Sequence, residues 1–280
     1  MPNFTAPDGT TLAYRRIGRG EPLICLPGGP MRAAAYLGDL GGLAAHRTLV
    51  LLDLRGTGRS GRPDDPAGYR CDRQVADVEA LRAYLGLERI DLLGHSAGAG
   101  LATRYAAEHP ERIGRLALIT PVTAAVGIPV DVDDFREAVR LRGNPAWGPA
   151  ALAAMEAALA GALTPEQSDA MQPLLYGRWD AAAQEHAAGG PAQRNAEAAR
   201  LFWAAGAFDP DATRAGLAGL KAPVLVLSGE LDGGPSPRRA AEFAEVFPQG
   251  VHRVQPGAGH FPWLDDEERF VRTVAEFLGR

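Results

Sequence analysis

The sequence predicts an α/β fold, with a mostly parallel central sheet, flanking helices and a helical insertion before the last strands. First, six short apolar runs bounded by glycine and proline alternate with longer segments of helical periodicity. Second, most of these runs are continuously apolar rather than alternating, which is typical of strands covered on both faces, as in parallel sheets. Third, the alternation stops near residue 122 and resumes near residue 213. Strands that alternate with helices indicate an α/β fold with right-handed crossovers.

The predicted elements follow one another in a regular order. In chain order, the predicted strands are PLICLP, RTLVLLDL, IDLLGHS, LALITP, APVLVLSGE and GVHRVQPGAGH. The segment CDRQVADVEALRAYLGL separates two strands and places Val75, Val78, Leu81 and Leu85 on one helical face. The segment GAGLATRYAAEHPERIG predicts the next helix, and FPWLDDEERFVRTVAEFLGR predicts the last one.

The middle of the chain shows no strand pattern. It contains alanine-rich stretches such as PAALAAMEAALAGAL, whose composition favours helices. We therefore predict an α/β core formed by residues 1–121 and 213–280, with a helical cap inserted at residues 122–212. The C-terminal segment is too short to form a domain of its own.

Composition excludes several classes of partner. The chain has 280 residues, 46% of them hydrophobic, and a net charge of −5, which argues against a nucleic-acid partner. No apolar run approaches the roughly 20 residues that a membrane-spanning helix needs, and the N-terminus lacks a signal-peptide pattern. The two cysteines, Cys25 and Cys71, have no metal-ligand spacing. We expect a cytoplasmic protein without a metal or other cofactor.

The segment GHSAG places Ser96 between a strand pattern and a helix pattern. In that context G-x-S-x-G predicts a sharp strand-to-helix turn that exposes the serine hydroxyl above the sheet. Gly94 and Gly98 allow the strand and the helix to approach closely. The N-terminus of the following helix favours negative charge near the hydroxyl. These features indicate that Ser96 is a nucleophile.

A serine nucleophile needs a base and an acid that orients the base. His260 lies in a glycine-rich loop that follows the last predicted strand. Ligands of α/β sheets bind beyond the carboxyl ends of the strands, where such loops lie. Asp232, presented by the turn DGGP after the preceding strand, is the predicted acid, and Glu230 is the alternative. The chain order Ser96, Asp232, His260 is that of one of the known arrangements of a serine triad.

The oxyanion of an acyl-transfer intermediate needs two hydrogen-bond donors. The Ala97 amide, directly after the predicted nucleophile, is the first. The loop CLPGGPM should supply the second, and its prolines leave the amides of Gly28, Gly29 and, further on, Met31. Gly29 is the preferred donor, because the following proline restricts the turn.

The segments LPGGP, DLRGTGRS, GHSAGAG, GELD and PGAGH occur in the order and at the approximate spacing found in α/β hydrolases. The chain resembles that superfamily over nearly all its length, and within it the proline iminopeptidase-like branch. It departs from that branch at Pro27, where a histidine is usual, at Met31, where a glycine is usual, and in GHSAG, where GGSWG is usual.

The resemblance implies that the insertion covers the active site. In iminopeptidases, cap glutamates hold the free amine of the substrate, and the corresponding candidates here are Asp180, Glu185 and Glu197. Trp179 and Trp203 are candidates for an apolar acyl pocket. Packing and solvated helix faces explain these five residues as well.

The sequence thus predicts a serine hydrolase for a small ester, amide or short peptide. One alternative is an aminopeptidase of the iminopeptidase type, and another is a carboxylesterase or lactonase without peptidase activity. A third is a non-hydrolytic protein of the same fold, such as a cyclase, acyltransferase or lyase, since fold does not determine function.

Overall fold

Within residues 1–279, which the computed structural model describes apart from the Pro165 side chain, eight strands form one sheet. The strands are β1 (Asn3–Thr5), β2 (Thr11–Gly18), β3 (Pro22–Leu26), β4 (Thr48–Leu52), β5 (Ile90–His95), β6 (Ile113–Ile119), β7 (Val224–Gly229) and β8 (Gly250–Gln255). Their order in the sheet is β1-β2-β4-β3-β5-β6-β7-β8. Arg280, the last residue of the predicted segment 213–280, lies outside the described residues.

The sheet is parallel from β4 to β8, as the sequence predicts. Within β3, the side chains of Ile24 and Leu26 belong to one buried core and those of Leu23 and Cys25 to the other. A strand buried on both faces must be apolar throughout, which explains its uninterrupted run of apolar residues. The predicted α/β class with a mostly parallel sheet is confirmed.

Two strands were not expected from the sequence. β1 and β2 pair antiparallel, and β2 pairs antiparallel with β4 at the edge of the sheet. The second half of β2 is only partly buried and contains charged residues, so it lacks the apolar run of a central strand. Edge strands commonly carry such charges, which block pairing with other chains.

Twelve α-helices lie in the part of the chain that the structure describes. They are α1 (Cys71–Tyr84), α2 (Ala97–Glu108), α3 (Val132–Leu141), α4 (Gly148–Leu159), α5 (Pro165–Met171), α6 (Ala181–Ala188), α7 (Gly190–Gln193), α8 (Ala196–Phe202), α9 (Pro210–Leu217), α10 (Pro237–Ala244), α11 (Pro262–Asp265) and α12 (Glu267–Leu278). Helices α1, α2 and α10 contribute to the core on one face of the sheet, and α12 to the core on the other.

Helices α3 to α9 lie between β6 and β7. Residues of α3 and α4 form a separate small core together with Leu174, which includes Phe135, Val139 and Met155. Helix α9 packs against α2, and the predicted boundary at residue 212 falls inside it. This segment is therefore a helical unit with its own apolar cluster, followed by a helix that packs on the sheet layer.

The direction of strand addition reverses at β3. The chain runs from β3 to β4 on one side of β3, whereas β5 pairs with the other side. Ligands of open α/β sheets bind where such a reversal occurs, beyond the carboxyl ends of the strands. The loop with Gly28 and Gly29 follows β3, and Ser96 follows β5, so both lie at this point.

Candidate active site

Ser96 occupies a strained turn between β5 and α2. Its backbone has φ 54° and ψ −119°, a conformation that residues with side chains rarely adopt. A Cβ added to Gly98 would lie 2.3 Å from the carbonyl oxygen of Leu26, and one added to Gly94 would lie 2.6 Å from the Cα of Ala99. The two glycines are thus required by close packing. The strand, the sharp turn and the helix occur as GHSAG predicts.

His260 and Asp232 are joined directly. The His260 Nδ1 atom lies 2.7 Å from Asp232 Oδ2, and the two residues are 8% and 2% exposed. An ionised carboxylate only accepts hydrogen bonds, so the imidazole donates its Nδ1 proton and keeps a lone pair on Nε2. Asp232 Oδ1 accepts from the Gly234 amide at 2.9 Å. The carboxylate is therefore oriented by the turn that contains it.

Glu230, the alternative acid, has a different partner. Its Oε2 atom accepts a 2.8 Å hydrogen bond from the Gly257 amide, and the residue is exposed. Of the two carboxylates weighed from the sequence, the structure brings Asp232, and not Glu230, to His260.

Ser96 and His260 both lie beyond the carboxyl ends of the parallel strands. In the part of the chain that the structure describes, their side chains form no direct hydrogen bond. The carbonyl oxygen of His260 accepts from His95 Nε2 and from Thr120 Oγ1, each at 2.9 Å. His95 directly precedes Ser96, and Thr120 directly follows β6, whose Ile119 carbonyl accepts from the Ser96 amide. The backbone of the predicted base is thus anchored beside the predicted nucleophile.

The loop after β3 packs against the Ser96 turn. A Cβ added to Gly28 would lie 2.8 Å from Ser96 Cβ and 3.2 Å from the Ala97 nitrogen. The Gly28 amide donates a 2.7 Å hydrogen bond to the Tyr36 hydroxyl, so it is already engaged. Between the two glycines, this leaves the Gly29 amide as the better candidate to act with the Ala97 amide on an oxyanion.

The three predicted cap carboxylates lie apart from these groups. Asp180 caps α6 by accepting a 3.0 Å hydrogen bond from the Ala183 amide, and Asp180, Glu185 and Glu197 are all exposed. Within the described part of the chain, none of the three forms a hydrogen bond with Ser96 or His260. Their role in holding a substrate amine remains a prediction.

The two predicted pocket tryptophans have aromatic neighbours. The Trp179 ring lies 5.3 Å from the Tyr176 ring, and the exposed Trp203 ring stacks on Phe208 at 5.1 Å. These contacts are packing within the helical segment. A role in an acyl pocket stays a prediction for both.

Two residues that the sequence did not single out connect the helical segment to the loops of His260 and Asp232. Asp265 accepts hydrogen bonds from the amides of Gly177 and Gly259 at 3.1 and 2.8 Å, and burial raises the pKa of its carboxyl. Arg142 donates to backbone carbonyls on both sides of the interface. In the sequence, both residues look like ordinary charges on helices, and no local signal marks them.

A cleft of about 590 Å³ lies at the amino ends of the parallel strands, where β5 and β6 begin. Arg47, Asp91 and Arg115 are among its lining residues, and Arg47 and Asp91 form a buried 2.6 Å ion pair. Since Ser96 follows the other end of β5, this cleft is separate from the candidate active site.

Residues 1–279 contain no group of three or more His, Cys, Asp or Glu side chains placed to hold a metal ion. In the same residues, no helix is both long enough and apolar enough to cross a membrane.

Comparison with known proteins gives matches over nearly the whole chain. A family model described as alpha/beta hydrolase fold matches residues 21–267. A proline iminopeptidase from Heyndrickxia coagulans is 25% identical over 284 residues, which cover 93% of this chain and 91% of that protein. The crystal structure of the esterase RhEst1 from Rhodococcus sp. ECU1013 is 26% identical with a TM-score of 0.74, covering 99% of this chain and 98% of that one.

A higher identity extends over a shorter region. A (lyso)-N-acylphosphatidylethanolamine lipase from Mus musculus is 37% identical over 129 residues, or 45% of this chain. The match spans 35% of the length of that lipase.

Proposed function

Because this chain belongs to the alpha/beta hydrolase fold family, we propose that it is a serine hydrolase that cleaves a small ester through an acyl-enzyme on Ser96. The observation that carries the proposal is the buried 2.7 Å hydrogen bond between His260 and Asp232, at the sheet edge where the Ser96 turn lies. A strained serine beside an oriented imidazole has the parts that nucleophilic catalysis needs.

In the proposed reaction, the Ser96 hydroxyl oxygen attacks the ester carbonyl, and His260 Nε2 takes its proton. Asp232 stabilises the resulting imidazolium. The amides of Gly29 and Ala97 hold the oxyanion, and one such donor contributes about 3 kcal/mol to the transition state. The imidazolium then protonates the leaving alcohol, and a water molecule cleaves the acyl-enzyme by the same steps. The Ser96–His260 hydrogen bond forms when substrate binds, as is common in enzymes of this type.

The charges near the site favour an ester over a substrate with a free amine. Arg32 lies close enough to His95 to help lower the pKa of that imidazole, and Arg142 lies close enough to Asp232 to be attracted by it. The predicted amine ligands Glu185 and Glu197 are exposed. The carboxylates of Asp232 and Asp265 offset the charge of Arg142. Arg32 instead bonds to an amide and a backbone carbonyl, so its charge repels an ammonium group, whereas a neutral or anionic acyl group meets no such repulsion.

Aminoacyl cleavage is the second candidate. It is supported by the proline iminopeptidase from Heyndrickxia coagulans, which matches 93% of this chain. In that case a carboxylate of the helical segment, Asp180, Glu185 or Glu197, would have to reach the substrate amine. The esterase RhEst1, with 26% identity over 99% of the chain, supports the first candidate to a similar extent.

The test is hydrolysis of p-nitrophenyl acetate and butyrate against proline and alanine p-nitroanilides. Wild type and Ser96→Ala are compared, with Ser168→Ala as a matched control in α5. We expect ester turnover that Ser96→Ala abolishes and Ser168→Ala retains.

Anilide turnover that is lost in Ser96→Ala, and lost when the substrate amine is acylated, would favour the aminopeptidase instead. If neither substrate class gives Ser96-dependent turnover, and a fluorophosphonate does not label Ser96, the hydrolase proposal is wrong and a non-hydrolytic use of the fold replaces it.

A further inference from the structure

A chain of buried hydrogen bonds joins the loop after β3 to the loop of His260. The Gly28 amide donates to the Tyr36 hydroxyl at 2.7 Å, and that hydroxyl lies 2.6 Å from His95 Nδ1. On the other side of the ring, His95 Nε2 lies 2.9 Å from the carbonyl oxygen of His260. Tyr36 is 6% exposed and His95 is 1% exposed, so water does not compete for these bonds.

The direction of each hydrogen bond follows from the two groups at the ends of the chain, the Gly28 amide and the His260 carbonyl. The His260 carbonyl can only accept, so a neutral His95 ring carries its proton on Nε2 and presents a lone pair on Nδ1. The Tyr36 hydroxyl therefore donates to Nδ1, and its oxygen accepts the Gly28 N–H. One arrangement of protons satisfies all the groups in the chain.

The surroundings of His95 keep its ring neutral. Burial, followed by the proximity of His260, His186 and Arg32, lowers its pKa well below the ordinary value. The rings of Trp263 and Phe261 lie 4.8 and 5.2 Å from the His95 ring and enclose it. A neutral ring with one donor and one acceptor can link two loops, whereas a protonated ring could not accept from Tyr36.

We propose that Tyr36 and His95 are positioning residues that hold the oxyanion loop and the loop of the base at a fixed separation. The inference rests on the proposed function, because it concerns the same site. One end of the chain orients Gly28, directly before the proposed donor Gly29. The other end holds the backbone of His260, which Thr120 Oγ1 also contacts. Neither residue touches the substrate; both act through these neighbours.

The test is Tyr36→Phe, which removes one hydroxyl and leaves both the Gly28 amide and His95 Nδ1 without their partner. We expect ester kcat to fall by about 10- to 100-fold with KM nearly unchanged, because small displacements of catalytic groups cost up to about 100-fold. The inhibition constant of a phenylboronic acid, which forms a tetrahedral adduct with a reactive serine, should rise by a similar factor. A purely structural role would not move this constant in a folded variant.

Tyr105→Phe is the matched control, since the hydroxyl of this buried tyrosine in α2 donates a 2.8 Å hydrogen bond to Glu79 in α1 and contacts neither loop of the site. It removes the same kind of hydrogen bond and should leave kcat and the boronate constant unchanged. At His95, the His95→Gln variant should retain more activity than His95→Leu, because an amide can still donate to the His260 carbonyl.

Nitrogen-15 NMR of the wild-type imidazole tests the proton arrangement without any substitution. We expect a protonated Nε2 and an unprotonated Nδ1 for His95; the opposite tautomer would overturn the inference. Unchanged kinetics and boronate inhibition in a folded Tyr36→Phe would overturn it as well. Absence of Ser96-dependent turnover in the wild type would instead contradict the proposed function.

Discussion

Arg142 Nη1 donates a 2.6 Å hydrogen bond to the carbonyl oxygen of Leu231, the residue that precedes Asp232. Its Nη2 atom donates to the Tyr176 carbonyl at 2.7 Å, in the segment that packs against the loop of His260. Arg142 directly follows α3. One side chain of the helical segment therefore joins the loop of the proposed acid to the segment that packs against the loop of the proposed base.

Replacing Arg142 by glutamine should affect stability and activity together. Hydrogen bonds to charged groups contribute about 1.5–3 kcal/mol each, so we expect the free energy of unfolding to fall by roughly 2–3 kcal/mol. Ester kcat/KM should fall by about 10-fold, since the loop of Asp232 loses its hydrogen bond to the helical segment and small displacements of catalytic groups are costly. Urea denaturation and steady-state kinetics measure the two effects.

The control for Arg142 is Arg140→Gln, two residues earlier in α3, at an exposed arginine that pairs with Glu137. Exposed pairs contribute at most about 1 kcal/mol. Equal losses in the two variants would show that Arg142 has no special role.

Asp232→Asn should reduce kcat by about 10⁴-fold, the loss known for this change in a serine protease triad, because asparagine favours the wrong imidazole tautomer. Glu230→Gln should retain most activity, since Glu230 bonds to Gly257 and not to His260. Steady-state kinetics with p-nitrophenyl butyrate compares the two. The reverse result would assign the acid to Glu230.

Acid should destabilise the fold partly through His186. Burial, and then the charge of Arg32, lowers the pKa of His186 to about 4. The folded state thus binds this proton more weakly than the unfolded state, whose histidine titrates near pH 6.5. The stabilising contribution is complete above pH 6.5 and is lost as the pH falls towards 4. It amounts to at most about 3 kcal/mol.

As the pH is lowered from 6.5 to 4, the unfolding free energy of His186→Gln should therefore fall less than that of the wild type. Urea denaturation at several pH values measures it, with His46→Gln, at an exposed histidine, as the control. His95 acts in the same direction, so part of the acid dependence should remain. If the unfolding free energy of His186→Gln depends on pH as steeply as that of the wild type, His186 does not contribute to the acid destabilisation.

Ser96→Gly should be more stable than Ser96→Ala by about 1 kcal/mol, because glycine adopts the positive φ of this turn without strain. Both variants should lack ester turnover. Thermal denaturation of the two proteins provides the comparison. Equal melting temperatures would mean that the turn stores no backbone strain.

Local patterns were sufficient for the core of the fold. The central strands could be predicted because a strand buried on both faces must be apolar throughout, as β3 is. β8 is largely exposed, and it was predicted from the glycine-rich loop that follows it. β1 and β2 could not be predicted, since β1 has only three residues and the second half of β2 contains charged residues instead of an apolar run. The Ser96 turn could be predicted because its tight packing demands glycine at positions 94 and 98.

The sequence by itself determined the α/β class, the helical segment before the last strands and the candidates Ser96, Asp232 and His260, because each has a signal within a few neighbouring residues. Tertiary structure alone decided that Asp232 and not Glu230 meets His260. It also decided that Tyr36 and His95, 59 residues apart, form one hydrogen-bond chain. A hydrogen bond depends on where two side chains meet in space. Between residues distant in the chain, only the packing of the whole fold specifies that position.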